Sequence, residues 1–394
     1  MAVPPEPFIS LSTILECNTQ ENFSTKIPLS LWSGSWNING TLPPESIEKW
    51  IGDANSQKDI YVFNIQEFVP LNILTLIFRY GVQKRIDIWN KNILMTLNKD
   101  PNVEYSNLIM QSSGGLCLLI YVKTSLIDQI HDLCIFKVNT GPFGFPNKGI
   151  LGISFNIYNT SLCICNQHAK PHQKGYNKRC KDFQYLNTYK LPNGLFIKDH
   201  DIIIWSGDLN SHLQFPKECK NNRGKLLIED KNNEENSVIV DSSKLLYSRL
   251  FQFSYHELTS LLPSYIWEYY FTYDEIYQSQ INGKVYFKGF MESRATFPPT
   301  FKFKPLTDQY ILKKGKKEKP PAWCDRILYS TLVPLSIASS SPLLSLPFSR
   351  QSDHLPVSSV ISIYAYQYNQ SNMQSLLFSI PNNNHYFHIA ALKV

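Results

Sequence analysis

The stretch Pro321-Ala322-Trp323-Cys324-Asp325-Arg326-Ile327-Leu328 has an acidic and a basic residue between a Pro-Ala-Trp segment and an apolar run. This apolar run is typical of a β-strand, so the acidic residue lies where a strand begins. Two more polar clusters lie at the ends of strand-like runs, one at Trp205–Asn210 and one at Ser352–Val357. Three such clusters at strand ends indicate a metal-assisted site for phosphoester hydrolysis.

Strand-like runs rich in Ile, Val, Tyr and Phe outnumber the helical patterns of the chain. The predicted strands are Asp59–Ile65, Leu116–Val122, Ile150–Ile157, Ser161–Asn166, Asp201–Trp205, Arg326–Tyr329 and Pro356–Ile363. The predicted helices are Pro44–Trp50, Leu71–Tyr80, Lys174–Tyr189 and Tyr255–Leu262. Strands that are in part adjacent and in part separated by helices predict an α/β fold, a two-sheet β-sandwich flanked by helices.

The length of 394 residues and an apolar content of 43% suit one large domain or two modest ones. We expect a catalytic domain over residues 31–364, with an N-terminal extension over 1–30 and a C-terminal tail over 365–394. Residues 217–243 are too polar to pack into a core, which predicts a polar insert at the surface.

Cysteine usage and hydropathy predict the compartment. The eight cysteines form no Cys-x-x-Cys pair, and several lie in apolar runs, which indicates a reducing environment. The sequence has no signal-peptide pattern and no apolar run of about 18 to 20 residues. We therefore expect a cytoplasmic monomer that associates with membranes only peripherally. The net charge of +6 suits a polyanionic ligand or an anionic membrane, and ordinary solubility charge explains it equally well.

Two pairs of polar residues follow strand-like runs at a spacing of two. In an extended chain, Asp208 and Asn210 would point to the same side, so a carboxylate that takes a proton from water would lie beside an amide. Asn37 and Asn39 repeat this spacing. Glu67 also follows a strand-like run and is a candidate ligand for Mg²⁺, which favours one or two carboxylates together with water and phosphate.

Histidines complete the set of candidate residues. His354 follows Asp353, and an imidazole beside a phosphate stabilises charge when a second acid orients its other nitrogen. Asp325 is the candidate for that orienting acid. His168 and His172 follow another apolar run. Each element alone is more often an ordinary turn, so the prediction depends on their combination.

Taken together, these elements resemble the inositol polyphosphate 5-phosphatases of the exonuclease–endonuclease–phosphatase superfamily. The matching elements occur in the order Ser35–Asn39, Gln66-Glu67, Asn147-Lys148-Gly149, Asn166–His172, Trp205–Asn210, Phe297–Lys302, Pro321–Arg326 and Ser352–Val357. The resemblance implies a Mg²⁺-dependent phosphatase that removes the 5-phosphate from phosphoinositides, such as phosphatidylinositol 4,5-bisphosphate or 3,4,5-trisphosphate. Soluble inositol polyphosphates are the further substrates that it implies.

The resemblance also implies a role for each matching residue. It implies four metal ligands, namely Glu67, Asn37, Asn39 and Asp353. It implies five catalytic residues around the attacking water and the scissile phosphate, namely Asp208, Asn210, His354, Asp325 and His168. It implies five substrate-binding residues, namely Lys148, His172, Lys302, Lys319 and Arg326. No covalent phospho-enzyme is implied.

The departures from the family pattern fall at the substrate-binding edge. The family usually follows its Asp-x-Asn with Tyr-Arg, where this chain has Ser211-His212. Its Lys-Gly-Gly element is Lys148-Gly149-Ile150 here. An unaltered metal and phosphate centre beside an altered edge implies catalysis with a shifted substrate preference.

The loop Thr140–Pro146 carries Phe143 and Phe145 among glycines and prolines. The resemblance implies that this loop contacts a lipid surface, and packing of both rings onto the core is the alternative. Two other functions also stay open. A nuclease would need a broader basic surface with stacking aromatics, so we expect no nucleic-acid partner. An inactive phosphoinositide-binding scaffold is the third hypothesis.

Overall fold

The computed structural model describes residues 24–52, 57–76, 78–215, 225–228, 238–241, 247, 250–311, 320–332, 337–340, 344–345 and 351–369. Two β-sheets pack against each other, and helices cover their outer faces. The predicted fold class, a two-sheet α/β sandwich with outer helices, is therefore confirmed.

The first sheet has seven strands, in the order β12-β14-β1-β2-β4-β3, with β13 paired to β14. Its strands are β1 (Ser24–Asn37), β2 (Ile60–Gln66), β3 (Tyr105–Ser113), β4 (Leu116–Lys123), β12 (Ile337–Ser340), β13 (Leu344–Ser345) and β14 (Val357–Tyr368). Strands β1 and β2 run parallel, so their carboxyl ends meet at one edge. The other pairs in this sheet are antiparallel.

The second sheet has five strands in the order β11-β8-β7-β6-β5. They are β5 (Ile130–Asn139), β6 (Gly149–Ile157), β7 (Thr160–His168), β8 (Ile202–Asp208) and β11 (Asp325–Thr331). Strands β7 and β8 run parallel, and β11 pairs with β8 in the opposite direction. A separate antiparallel pair, β9 (Lys225–Ile228) and β10 (Val238–Asp241), lies within the predicted polar insert.

The described helices are α1 (Glu48–Ile51), α2 (Ile73–Leu76), α3 (Val82–Leu97), α4 (Tyr176–Asn187), α5 (Tyr255–Leu261), α6 (Ser264–Phe271) and α7 (Glu275–Ile281). Helix α5 begins in a capping box between Ser254 and Glu257, and Asp274 caps the first turn of α7. Among the described helices, none has the length and apolarity that crossing a bilayer requires.

Three apolar clusters hold these layers together. The first lies between the two sheets, and the second packs the seven-stranded sheet against α3. The third packs the five-stranded sheet against α4 and the start of α7. Aromatic edge-to-face contacts recur in the outer two layers, for example between Trp36 and Trp50 and between Trp205 and Phe287. The sheets are thus held from both sides, which fixes the strand ends.

All seven predicted strands and all four predicted helices occur, although the helices predicted at Pro44–Trp50 and Leu71–Tyr80 are short. The structure adds strands β1, β3, β5, β9, β10, β12 and β13 and helices α3, α6 and α7 to the prediction. Strand β1 begins at Ser24 and β14 ends at Tyr368, so the first sheet extends beyond both ends of the predicted 31–364 domain. The described cysteines are free, and all of them except Cys180 are buried.

Candidate active site

Polar side chains converge where the carboxyl ends of both parallel strand pairs meet. Asn37 ends β1, Glu67 follows β2, His168 ends β7 and Asp208 ends β8. Asp208 aligns with His168 across β7–β8 and with Asp325 across β8–β11. The Asn37 Nδ2 donates to Asp208 Oδ2 at 3.0 Å and thereby joins the two sheets. The candidate site therefore lies at one edge of the sandwich, between the sheets.

Asp208 lies at the centre of the site, with 2% of its surface exposed. Its Oδ2 lies 3.1 Å from His168 Nε2 and 3.9 Å from His354 Nε2. Burial raises the pKa of Asp208, but the positive charge of His354, the hydrogen bond from His168 and the charge of Lys148 outweigh burial. The pKa of Asp208 therefore lies well below its usual range, and the carboxylate is ionised.

Asp325 orients His354. The His354 Nδ1 lies 3.0 Å from Asp325 Oδ2, and Thr300 Oγ1 donates to the same oxygen at 2.7 Å. The imidazole stacks on Phe301, with 4.3 Å between ring centroids. Burial lowers the pKa of His354, but the charges of Asp325 and Asp208 raise it to about 10. His354 is therefore an imidazolium at neutral pH, and its Nε2 faces the site.

His168 and Lys148 form a second polar group beside Asp208. The Lys148 Nζ contacts His168 Nε2, which also lies 3.8 Å from Glu67 Oε1. Burial lowers the pKa of His168, and the charge of Lys148 lowers it further. Burial also lowers the pKa of Lys148, against the charges of Asp208 and Glu67. His168 is thus a neutral imidazole next to a partly buried amine.

Two kinds of donor could hold a cation here. Glu67 is 24% exposed at the end of β2, and Asn37 Oδ1 accepts one N–H, from Asn39, and keeps a second lone pair. A carboxylate and an amide oxygen on neighbouring strand ends fit a hard divalent cation. Asp208, Asp325 and His354 also lie within 4.8 Å of one another, but a protonated imidazole is not a ligand. The donor set therefore fits a cation at Glu67 rather than at His354.

The prediction that the Asp208 and Asn210 side chains point to the same side of an extended chain is wrong. Asn210 has a φ of 50°, so the chain leaves the strand and the two side chains do not share an extended face. Instead, the Asn210 N–H donates to Asp208 Oδ1 at 3.1 Å, and Asn210 Nδ2 donates to the Ala169 carbonyl. Asn37 and Asn39 form the same turn, with a φ of 48° at Asn39. Asx turns explain both pairs, because Asp and Asn accept from the backbone two residues on.

Arg326 is a correction to the predicted substrate-binding set. Its guanidinium is fully buried on the face of β11 opposite Asp325. It forms an ion pair with Asp274 at 2.8 Å and contacts both oxygens of Glu292. Two carboxylates already neutralise this charge, so Arg326 does not reach a phosphate.

The other predicted binding residues have different surroundings. Lys302 lies at the mouth and pairs with Asp353 Oδ2 at 2.8 Å. His172 is exposed in the loop after β7, with a φ of 76°. Lys319 lies outside the described residues. The roles of these residues in binding therefore remain predictions.

The two phenylalanines of the loop before Lys148 differ. Phe143 is fully exposed at a φ of 53°, whereas Phe145 packs against the cluster under the first sheet. Packing onto the core, the alternative for this loop, thus holds for Phe145 and not for Phe143. Phe143 remains the candidate for contact with a surface.

Several supporting residues have no role in the sequence prediction. Gln66 Nε2 donates to Asn166 Oδ1 at 2.7 Å, and Asn166 Nδ2 donates to the Ile65 and Cys117 carbonyls, which ties β7 to the first sheet. In the segment before β11, Phe301 stacks on His354, and Thr300 donates to the Asp325 carboxylate that orients this imidazole. Both residues belong to the Phe-Pro-Pro-Thr-Phe-Lys element, so the sequence does locate them but not their contacts.

The chain matches known proteins over most of its length. The family model described as Endonuclease/Exonuclease/phosphatase family 2 matches residues 34–235 and 229–360. The type II inositol 1,4,5-trisphosphate 5-phosphatase of Mus musculus is 28% identical over 87% of this chain and 30% of its own length. The type I inositol polyphosphate 5-phosphatase 8 of Arabidopsis thaliana is 26% identical over 91% of this chain and 75% of its own length. The chain thus spans about a third of the mouse relative and three quarters of the plant relative.

Among solved structures, the inositol polyphosphate 5-phosphatase domain of SPsynaptojanin in complex with inositol (1,4)-bisphosphate and calcium ion superimposes with a TM-score of 0.70. It is 23% identical and covers 99% of this chain and 100% of that domain, so the two share a fold. The family match covers both sheets and the strand ends at which Asn37, Glu67, His168, Asp208 and His354 meet. The chain is therefore a member of endonuclease/exonuclease/phosphatase family 2.

Proposed function

We propose that the chain is a Mg²⁺-dependent phosphatase that removes the 5-phosphate from phosphoinositides and soluble inositol polyphosphates. One observation carries this proposal. An ionised Asp208 lies between a neutral His168 and an imidazolium at His354, with Glu67 at the same opening. The curated relatives, which are named as inositol polyphosphate 5-phosphatases, support the substrate class.

In this proposal Asp208 orients the attacking water. A carboxylate whose pKa lies well below its usual range stays ionised and is a weak base. It therefore holds the water in line with phosphorus and accepts its proton only as the new bond forms. Asn37 and the Asn210 N–H fix the two carboxylate oxygens, which limits how far this carboxylate can rotate.

His354 binds the scissile phosphate. Its Nδ1–H is held by Asp325, so Nε2–H points into the site as a charged donor. Charge on the phosphoryl oxygens grows in the transition state, and a fixed imidazolium stabilises it without reorganisation. Lys148 adds a second positive charge on the side of His168.

Glu67 and Asn37 would hold the Mg²⁺, with Asp353 as a further carboxylate near the mouth. When bound, this cation polarises the phosphate and lowers its negative charge. Cys324 has no part in the chemistry, because its thiol is buried, donates to the Ser211 carbonyl at 3.5 Å, and has its pKa raised by burial. The burial of Cys324 and the ionised Asp208 support attack by water instead of a phospho-enzyme formed on this thiol.

We also propose that the chain acts as a cytoplasmic monomer at membrane surfaces. Phe143 projects fully exposed from the loop that leads to Lys148, so one ring could enter a lipid surface while the lysine faces a headgroup. Phe145 anchors the same loop to the core. An exposed apolar tip beside a cationic site suits a substrate with an acyl part and a phosphorylated ring.

The test is Mg²⁺-dependent phosphate release from inositol 1,4,5-trisphosphate and inositol 1,4-bisphosphate, which differ only in the 5-phosphate. We expect release from the trisphosphate alone, its loss after chelation, and its return with added Mg²⁺. Vesicles containing phosphatidylinositol 4,5-bisphosphate should also be substrates. Equal release from both soluble compounds would contradict the 5-phosphate assignment. Vesicle binding without any release would favour the inactive scaffold.

A further inference from the structure

Beneath the site, two adjacent buried carboxylates take part in a network of charges that the proposed chemistry does not use. Asp274 and Glu275 lie at the start of α7, with 0% and 1% of their surfaces exposed. Each forms an ion pair with a different buried arginine, Asp274 with Arg326 and Glu275 with Arg179. Buried charges are costly unless paired, and each of these carboxylates has an arginine as its partner.

Glu275 acts on the loop that follows β7. Its Oε1 accepts from Arg179 Nε at 2.7 Å, and the same guanidinium donates through Nη1 to the Lys170 and His172 carbonyls at 2.8 Å each. A Cβ at Gly175 would lie 2.8 Å from that Nη1, so the loop wraps closely around the arginine. Glu275 therefore fixes the segment that begins one residue after His168.

Asp274 acts on the loop that follows β8 and on β11. Its Oδ2 accepts from Ser211 Oγ at 2.6 Å, one residue after Asn210. The backbones also pair, because Leu213 bridges Asp274 and the Glu275 N–H donates to the His212 carbonyl at 3.1 Å. The other oxygen of Asp274 pairs with Arg326, which directly follows Asp325 on β11.

We propose that Asp274 and Glu275 are positioning residues of the site, which hold the loops that directly follow Asp208 and His168 in one arrangement through Ser211 and Arg179. This inference rests on the proposed function, because it assigns these contacts a role in phosphate hydrolysis. Neither carboxylate touches the reacting atoms. The Asp274 side chain holds the loop after β8, whereas the Glu275 side chain holds the loop after β7 through Arg179 and contacts the loop after β8 at Gln214 Nε2, at 3.3 Å. Removing each carboxylate should therefore affect chiefly a different loop.

Glu292 offers a matched control. Its side chain is 4% exposed and pairs with the same Arg326, but its carboxylate has no contact with the loops after β7 and β8 among the described hydrogen bonds and ion pairs. Glu292→Gln therefore removes a buried carboxylate of the same network without freeing a loop. A merely structural role predicts that all three neutral variants behave alike.

The test compares Asp274→Asn, Glu275→Gln and Glu292→Gln in the full chain, at a temperature where circular dichroism shows all three folded. Displacement of a catalytic group by about 1 Å can cost about a hundredfold in turnover. We expect Asp274→Asn to lower kcat by about tenfold or more with little change in KM. We expect Glu275→Gln chiefly to raise KM, because it frees the loop of Lys170 and His172, and Glu292→Gln to stay within about threefold of wild type.

Amide hydrogen exchange on the same proteins separates this inference from the proposed function. Glu275→Gln should raise exchange in residues 169–175, and Asp274→Asn in residues 209–214, while Glu292→Gln raises neither. Ser211→Ala removes one contact of Asp274 and should reproduce its exchange pattern if Asp274→Asn does not fold. Equal exchange in all variants would overturn the positioning role. An inactive wild type with these exchange patterns would overturn the proposed function alone.

Discussion

At the scale of single residues, the site works because neighbours set the charge of each group. Asp208 is kept ionised by His354, His168 and Lys148, and His354 is kept protonated by Asp325 and Asp208. Burial alone would push all three groups toward neutrality. The low-dielectric surroundings therefore strengthen a charge pattern that matches a phosphoryl group in transfer.

This pattern predicts the alkaline limit of the activity. The pKa of His354 is raised to about 10, so the imidazolium persists through neutral pH and is lost as the pH rises through that value. Asp325→Asn removes the main charge that raises this pKa, so the falling limb of kcat/KM should move to lower pH. Asp59→Asn is the control, since Asp59 pairs with Lys123 at the opposite end of β2. An alkaline limb that does not move in Asp325→Asn would contradict the role of the pair.

At the scale of elements, each catalytic side chain depends on how its strand ends. The last two residues of strand β8 are Gly207, at a φ of 145°, and Asp208. A Cβ at Gly207 would lie 1.9 Å from the carbonyl oxygen of Gln167 on β7. The close approach of these two strands is therefore possible only with glycine at this position.

Gly207→Ala should destabilise the protein by about 2 kcal/mol or more through this clash. Gly283→Ala is the matched control, because Gly283 also has a positive φ, of 63°, but no atom within 4 Å of its Cβ position. The comparison separates the clash from the backbone penalty that both share. Urea unfolding of both variants gives the difference in free energy, and equal losses would contradict the packing argument.

The second prediction at the scale of elements concerns the loop that carries Phe143. Phe143→Ser should lower activity on phosphatidylinositol 4,5-bisphosphate vesicles about tenfold and leave activity on inositol 1,4,5-trisphosphate unchanged, because a buried aromatic ring contributes about 1.5 to 3 kcal/mol. Met95→Ser removes another exposed apolar side chain, from α3, and serves as the control. Equal loss on both substrates would mean that Phe143 supports the fold of the loop instead.

At the scale of the whole molecule, the site is an edge between two sheets that packed layers hold from both sides. The buried-strand runs and the polar residues that end them are visible in the sequence, so the fold class and the position of the site follow from it. Helix α3 is absent from the prediction, although its apolar residues Val82, Ile86, Trp89 and Ile93 have the helical spacing, with polar residues between them. Arg326 marks a limit of the sequence prediction. The sequence places it beside Asp325, but side chains alternate along β11, so its guanidinium lies on the face opposite Asp325.

The most direct test measures which phosphate is released and whether its new oxygen atom comes from water. Inositol 1,4,5-trisphosphate is hydrolysed in ¹⁸O-water with Mg²⁺, and the products are analysed by mass spectrometry and ion chromatography, for wild type and for Asp208→Asn. We predict one ¹⁸O atom in each phosphate, inositol 1,4-bisphosphate as the product, and a loss of about a thousandfold or more in the folded variant. Loss of a different phosphate, or turnover retained in Asp208→Asn, would contradict the account.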